Sequence, residues 1–182
     1  MIQIKSLAHL PGDVLRASAV PPHANASLIS ANAAELWRFR WSTIEDLAAA
    51  DRSLARFLQD AAAARLARYA LHTAVLGQFS SEQRVATVMT EFAMLTGTPS
   101  PAGGILIDLP FRRNDLADYL GLNPDTLSRI VARLRRDGIL GHSARSRTLV
   151  RDFRALARLT PAARSLAEIH QHRRGDGLAL LA

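Results

Sequence analysis

The chain has 182 residues, of which 48% are hydrophobic, and this suits one large domain or two small ones. The absence of cysteine excludes disulfides, thiolate metal sites and cysteine nucleophiles. The sequence contains neither a long apolar run nor a signal peptide, and this indicates a cytoplasmic protein. The formal net charge is +7: residues 1–111 carry nine basic and nine acidic side chains, whereas residues 112–182 carry 14 arginines against seven acids, which indicates a polyanionic partner.

Residues 1–41 are predicted to form short strands, because the proline-containing sequences at 11–13 and 21–25 are typical of turns. In an extended segment Glu35–Trp41, successive side chains would point to opposite faces, and one face would carry Trp37, Phe39 and Trp41. We therefore expect a half-buried strand there, with its aromatic face inward.

From Ser42 onward the sequence is rich in Ala, Leu and Arg, which is typical of helices. We predict a short helix in which Ser42 and Glu45 form a capping box, followed by a long helix from Asp51 to about Gly77. One side of the long helix carries residues spaced four and three apart, namely Leu54, Leu58, Ala61, Arg65, Arg68, His72 and Val75. This stripe fits a dimer seam and an amphipathic helix packed on its own domain equally well, because polar residues interrupt it.

A further helix is predicted from Ser80, with Gln83 at capping-box distance, to Gly97. The segment Thr98–Gly104 contains two prolines and two glycines and is predicted to be a linker. We therefore expect three parts, which are residues 1–49, 50–98 and 99–182.

After a short strand, the segment from Arg112 to Gly138 has the features of a helix-turn-helix. Gly121 can take the positive φ of a tight turn between the helices, and Asn123 caps the second helix, which opens with a proline. Its apolar stripe is formed by Leu127, Ile130, Val131 and Leu134. A solvated helical hairpin is the alternative, but the capping, turn and charge signals agree on a DNA-binding unit.

In such units the N-terminal residues of the second helix contact base edges in the major groove. Arg129 can bind guanine through O6 and N7, and Asp125 can accept from cytosine N4 or orient Arg129. A predicted β-hairpin over residues 139–151 would form a wing along the DNA backbone. Side chains suited to the phosphates are Arg112, Arg113, Asn114, Thr126 and Arg133, together with Arg145 and Arg147 of the wing.

Residues 109–129, with the sequence LPFRRNDLADYLGLNPDTLSR, closely resemble the winged helix of the cyclic-AMP receptor protein/FNR (CRP/FNR) family. The pattern DLADYLGL followed by T-x-SR is specific to its FNR and FixK branch. The resemblance implies a mainly α fold with small β parts. In that fold, residues 1–49 hold residual strands of the β-roll sensor domain. Residues 50–98 form the dimerisation helix and the helix after it, and residues 99–182 form the winged helix-turn-helix.

Family members are homodimers that bind a two-fold symmetric operator and regulate transcription. The resemblance therefore implies double-stranded DNA, a second copy of the chain and RNA polymerase as partners, and it favours the dimer seam on the long helix. It also implies that Asp125, Ser128 and Arg129 read bases, with Asp125 standing where the FNR branch typically has Glu.

The departures from the family concern sensing. Most of the β-roll that would precede Pro11 is missing, so we expect either a sensorless or divergent regulator or a true start upstream of Met1. The Gly-Glu and Arg-Ser pairs of the family's cyclic-nucleotide pocket align with residues 16–17 and 25–26, which are Arg-Ala and Asn-Ala. The cysteines of an FNR iron–sulfur cluster are missing too, so we expect no cofactor and neither kind of sensing.

No phosphate-binding loop, GxSxG or HExxH motif occurs, so we expect no enzymatic activity and no metal site. Two other functions stay open. One is a sensor of an unknown small ligand lined by Trp37, Phe39 and Trp41, although core aromatics are the simpler interpretation of these side chains. The other is a non-specific architectural DNA-binding protein.

Overall fold

The computed structural model describes residues 13–15, 33, 35–109, 111–141 and 147–170. It contains two compact units, Met1–Tyr69 and Ala70–Ala182. This boundary lies within the long helix, whereas the boundaries expected from the sequence lie at 49/50 and 98/99. Among the described residues, no helix has the length and hydropathy needed to cross a bilayer.

Helix α1 (Trp41–Ala50) and helix α2 (Arg52–Gln78) meet at Asp51. The carboxylate Oδ1 of Asp51 accepts hydrogen bonds from the backbone N–H groups of Ser53, at 2.8 Å, and Leu54, at 3.3 Å. These bonds cap α2 as predicted, and hydrogen bonding from the Ser53 hydroxyl, followed by these N–H groups, lowers the pKa of Asp51.

The capping box predicted at Ser42 is wrong. Helix α1 begins at Trp41, and its N-cap is Arg40, two residues before Ser42, without a side-chain hydrogen bond to the helix. The Glu45 carboxylate accepts a hydrogen bond from the indole Nε1 of Trp41, one helical turn before it. Ser42 therefore lies inside the first turn and does not occupy the N-cap position.

The half-buried strand predicted over Glu35–Trp41 is also wrong. Residues 35–40 lie in no helix or strand, and Trp37 and Phe39 are 77% and 66% exposed. An alternating segment becomes a strand only when a neighbour pairs with it, and none does within the described part of the chain. The exposure of Trp37 and Phe39 contradicts the interpretation of these side chains as core aromatics, and the ligand-sensing alternative stays open. Apart from residues 13–15, the turns and strands predicted before residue 33 lie outside the described residues. The residue pairs at 16–17 and 25–26, which align with the family's cyclic-nucleotide pocket, lie outside them too.

In the second unit, the elements after α2 are α3 (Ser81–Thr96), β1 (Thr98–Pro99), β2 (Ile105–Asp108), α4 (Arg113–Tyr119), α5 (Pro124–Arg136), β3 (Leu140–Gly141), β4 (Arg147–Val150), α6 (Phe153–Arg158) and α7 (Ala163–His170). The strands form one antiparallel sheet in the order β1-β2-β4-β3. The mainly α fold with small β parts is thus confirmed.

Helix α3 forms the centre of the core of this unit. It begins with the predicted capping box between Ser80 and Gln83, and its buried side chains include Val85, Met89 and Phe92. It packs against α5, α6, α7 and β2. At its C-terminal half, Glu91 Oε1 lies 2.9 Å from Nε2 of the buried His170, which joins α7 to α3.

The predicted linker Thr98–Gly104 is instead β1 and a tight turn. The backbone N–H of Ser100 donates to the carbonyl of Gly104 at 3.0 Å, and that of Gly103 donates to the carbonyl of Ser100 at 2.9 Å. Prolines and glycines are typical of both linkers and turns, and here the pairing of β1 with β2 makes the segment a turn.

Candidate DNA interface

The helix-turn-helix has the bounds that the sequence predicts. Gly121, between α4 and α5, has a φ of 60°, and the backbone N–H of Leu122 donates to the carbonyl of Ala117 at 2.9 Å. The Asn123 side chain accepts a hydrogen bond from the backbone N–H of Asp125 at 2.8 Å and caps α5. Gly138, with a φ of 75°, follows the end of α5.

Helix α5 has one buried face and one polar face. Leu127, Ile130 and Leu134 are buried in the core. Four of the polar side chains are exposed, namely Asp125, Arg129, Arg133 and Arg136, and Thr126 and Ser128 are half-buried. The N-terminal part of this polar face therefore carries the three residues expected to read bases.

Arg129 is oriented by a neighbour on its own helix. Its Nη2 donates to Oγ1 of Thr126 at 3.3 Å, one turn earlier. From the sequence, Thr126 was expected to contact phosphate and Asp125 was the candidate for orienting Arg129. In the structure, the Arg129 guanidinium donates its hydrogen bond to the Thr126 hydroxyl.

Ser128 connects the two helices of the motif. Its Oγ donates to the backbone carbonyl of Pro124 at 2.7 Å and accepts from Nη1 of Arg113 at 3.1 Å. Arg113 opens α4 and is exposed, as are Arg112 and Asn114 beside it.

Two of the arginines expected to contact phosphate form ion pairs with acidic side chains from other elements. Arg133 Nη2 lies 2.8 Å from Oε1 of Glu82 in α3, and Arg147 Nε lies 3.4 Å from Oδ1 of Asp108 in β2. No spacing in the sequence indicates these pairs, since their members come together only when α3 packs on α5 and β2 pairs with β4. Arg145, which was expected at the wing tip, lies outside the described residues.

Arg84 is a structural residue that sequence reasoning missed. Its Nε donates to the carbonyl of Phe79 at 3.0 Å, and its Nη1 donates to the carbonyl of Leu120 at 3.2 Å. The side chain thus joins the start of α3 to the end of α4, next to Gly121. An arginine near the start of a helix normally indicates a solvated side chain, so the sequence contains no signal for this role.

The stripe of α2 predicted as a dimer seam is covered by its own chain in its C-terminal part. Nη1 of the buried Arg68 lies 3.0 Å from Oδ2 of Asp13, Val75 is buried, and the His72 ring stacks on Tyr119 with 4.3 Å between centroids. Leu54, Leu58, Ala61 and Arg65 are half-buried. The other side of α2 is exposed at positions with the same spacing, namely Arg52, Arg56, Gln59, Ala63, Leu66, Ala70, Thr73 and Gly77.

Comparison with known proteins identifies this unit. Residues 83–159 match the Crp-like helix-turn-helix domain. The chain is 32% identical over 124 residues to the nitrogen fixation regulation protein FixK of Azorhizobium caulinodans, covering 68% of this chain and 50% of that protein. It is 32% identical over 85 residues to the transcriptional activator protein FnrL of Cereibacter sphaeroides, covering 45% of this chain and 34% of that protein. The chain thus spans half or less of the length of these two relatives.

Solved structures have the same fold. FixK2 from Bradyrhizobium japonicum has a TM-score of 0.59 and 34% identity, over 67% of this chain and 59% of that chain. A CooA mutant from Carboxydothermus hydrogenoformans has a TM-score of 0.60 at 19% identity, over 65% of this chain and 54% of that chain, and shows likeness of fold alone. The resemblance to the CRP/FNR family found in the sequence is therefore confirmed, and residues 83–159 belong to the Crp-like helix-turn-helix domain.

Proposed function

We propose that this chain is a sequence-specific DNA-binding transcription regulator that binds a two-fold symmetric operator as a homodimer. The observation that carries the proposal is the exposed polar face of α5, with Arg129 oriented one turn after Asp125 and an apolar stripe buried behind them. The named relatives support it, since one is described as a nitrogen fixation regulation protein and another as a transcriptional activator.

Arg129 is the proposed base-reading residue. An arginine at this point of a recognition helix can bind O6 and N7 of guanine with two hydrogen bonds, which discriminates against other bases. Thr126 uses its hydroxyl to orient the guanidinium, and Asp125 stands close enough along the helix to accept from a neighbouring cytosine. The exposed side chains at the start of α4 suit the phosphate backbone.

The ion pairs of Arg133 and Arg147 are compatible with binding to phosphate. Each pair lies between partly exposed side chains, and pairs of this kind contribute only about 0–1 kcal/mol. A DNA phosphate can therefore replace the carboxylate at small cost. We propose that Glu82 and Asp108 hold these arginines in place until DNA binds.

The base-reading proposal is tested by Arg129→Ala. We expect the variant to lose discrimination at one base pair in each half-site, at a cost of about 1–3 kcal/mol for the preferred base. Selection of binding sites from a random duplex library measures this, with Arg112→Ala as a control that weakens all duplexes alike. Equal affinity of the unaltered chain for selected and random duplexes would contradict the proposal and favour an architectural DNA-binding protein.

We further propose that the dimer seam is the exposed stripe of α2 centred on Leu66. Leu66 is 70% exposed, and Ala63 and Ala70 flank it on the same stripe, so a second helix can approach closely. The stripe has the spacing of four and three of a coiled-coil seam, with Leu66 as its one large apolar side chain. RNA polymerase as a further partner stays a prediction from the family.

The seam is tested by Leu66→Glu, with Phe57→Glu as its control. Both side chains are large, apolar and exposed, Phe57 at 54%, but they lie on opposite sides of α2 because nine residues correspond to two and a half turns. We expect Leu66→Glu to be monomeric in sedimentation equilibrium, because the seam would bury two like charges, and Phe57→Glu to stay dimeric. If only Phe57→Glu abolished the dimer, the seam would lie on the opposite side of α2, where Phe57 is.

A further inference from the structure

We infer that Ser128 positions Arg113 against a DNA phosphate instead of reading a base itself. This inference rests on the proposed DNA binding of α5. It changes the role that the resemblance to the family implies for Ser128, and it follows from how many hydrogen bonds one hydroxyl can form.

The Ser128 hydroxyl has a single hydrogen to donate and two lone pairs to accept with. The hydrogen is used at 2.7 Å by the carbonyl of Pro124, one turn earlier in α5. One lone pair is used at 3.1 Å by Nη1 of Arg113. To donate to a base acceptor, Ser128 would have to give up its bond to Pro124. Only its second lone pair, on a half-buried side chain, is left to accept from a base.

Burial separates the roles of the two side chains. Ser128 is half-buried between the helices, whereas Arg113 is exposed at the start of α4. A guanidinium has five N–H donors in one rigid plane, so a bond from Nη1 to Ser128 orients the others and leaves four of them for a phosphate. The bond joins α4 to α5 and thereby keeps the Arg113 cation beside the N-terminal part of α5, where Asp125 and Arg129 are exposed.

The two roles predict different effects of Ser128→Ala. A positioning residue should weaken the binding of every duplex by about twofold to tenfold, as expected for one lost hydrogen bond, and leave base preference unchanged. A base-reading residue should change the preference at one base pair.

The experiment is a double-mutant cycle of the full chain with Ser128→Ala, Arg113→Ala and both together, measured by fluorescence anisotropy on the selected operator and on random duplexes. We expect the loss from Ser128→Ala to vanish in the Arg113→Ala background, because the positioned group is gone. Ser128→Thr keeps the hydroxyl and should retain most of the affinity. Arg113→Ala should also lower the slope of log K against log salt by about 0.9, as for one phosphate contact.

Equal losses from Ser128→Ala in both backgrounds, or a change of preference at one base pair, would overturn the positioning role while leaving the proposed function intact. Failure of the unaltered chain to bind any duplex would overturn both. Thermal unfolding of each variant shows whether a loss of affinity reflects loss of the fold.

Discussion

Two adjacent glycines in the turn after β1 differ in the space around them. Gly103 and Gly104 have φ values of 83° and 81°, so a side chain is strained at either position. A Cβ at Gly103 would meet no atom within 4 Å, whereas one at Gly104 would lie 2.3 Å from the carbonyl oxygen of Val150 in β4. Gly104 thus lets the turn pack against the sheet, which a flexible linker would not require.

We therefore expect Gly104→Ala to destabilise the chain much more than Gly103→Ala. The left-handed backbone costs each variant about 1 kcal/mol, and the clash with β4 adds about 1–3 kcal/mol for Gly104→Ala alone. Unfolding in urea measures both free energies, and the difference between the variants isolates the contact. Equal losses would mean that the turn moves away from β4 without cost.

At the scale of elements, the C-terminal part of α2 packs on α4 through one aromatic pair. The His72 ring stacks on Tyr119, which in turn stacks on Phe111 with 5.8 Å between ring centroids. Burial lowers the pKa of His72, and the Glu91 carboxylate partly opposes this shift. Burial therefore favours the neutral imidazole in this pair.

This contact makes stability depend on pH. Because the pKa of His72 is lower in the folded chain than its ordinary value of 6.5, the unfolded chain takes up the proton first. The stabilisation is present above about pH 6.5 and is lost as the pH falls towards the folded pKa. His72→Phe keeps a ring on Tyr119 and cannot be protonated.

As the pH falls from about 7.5 to about 5.5, we expect the unfolding free energy of His72→Phe to decrease less than that of the unaltered chain. Unfolding free energies of both proteins at each pH give the comparison, in which the other titrating groups cancel. If the two proteins lost the same amount, His72 would not be the group responsible.

At the scale of the whole molecule, the excess of arginine after residue 111 is the main electrostatic feature. The sheet register places Arg147 opposite Asp108, so β2 and β4 present this wing arginine at a defined point. Contacts to phosphate add affinity for every duplex without selecting a sequence.

Arg147→Ala should therefore weaken binding to all duplexes alike and lower the slope of log K against log salt by about 0.9. Arg38→Ala removes the same charge from an exposed position in the first unit and serves as the control, with little effect on the slope. Affinities from about 50 to 200 mM salt provide the measurement. A change in sequence preference instead would assign base contacts to the wing.

The sequence by itself determined the helix-turn-helix, because the signals that define it act over a few residues. The N-cap at Asn123, the proline after it, the positive φ of Gly121 and the apolar stripe of α5 are all local. The caps at Asp51 and Ser80 were predicted correctly from equally local signals, whereas the capping box predicted at Ser42 was wrong. The excess of arginine after residue 111 can also be read from the sequence alone.

Only the tertiary structure decided which partners these elements meet. The turn at Thr98–Gly104 depends on β2, the covered side of α2 depends on the residues folded against it, and the strand expected at Glu35–Trp41 has no described neighbour to pair with. The bond between Ser128 and Arg113 likewise joins residues of two helices. Periodicity shows that a face is apolar or polar, but the packing of distant segments determines what covers it.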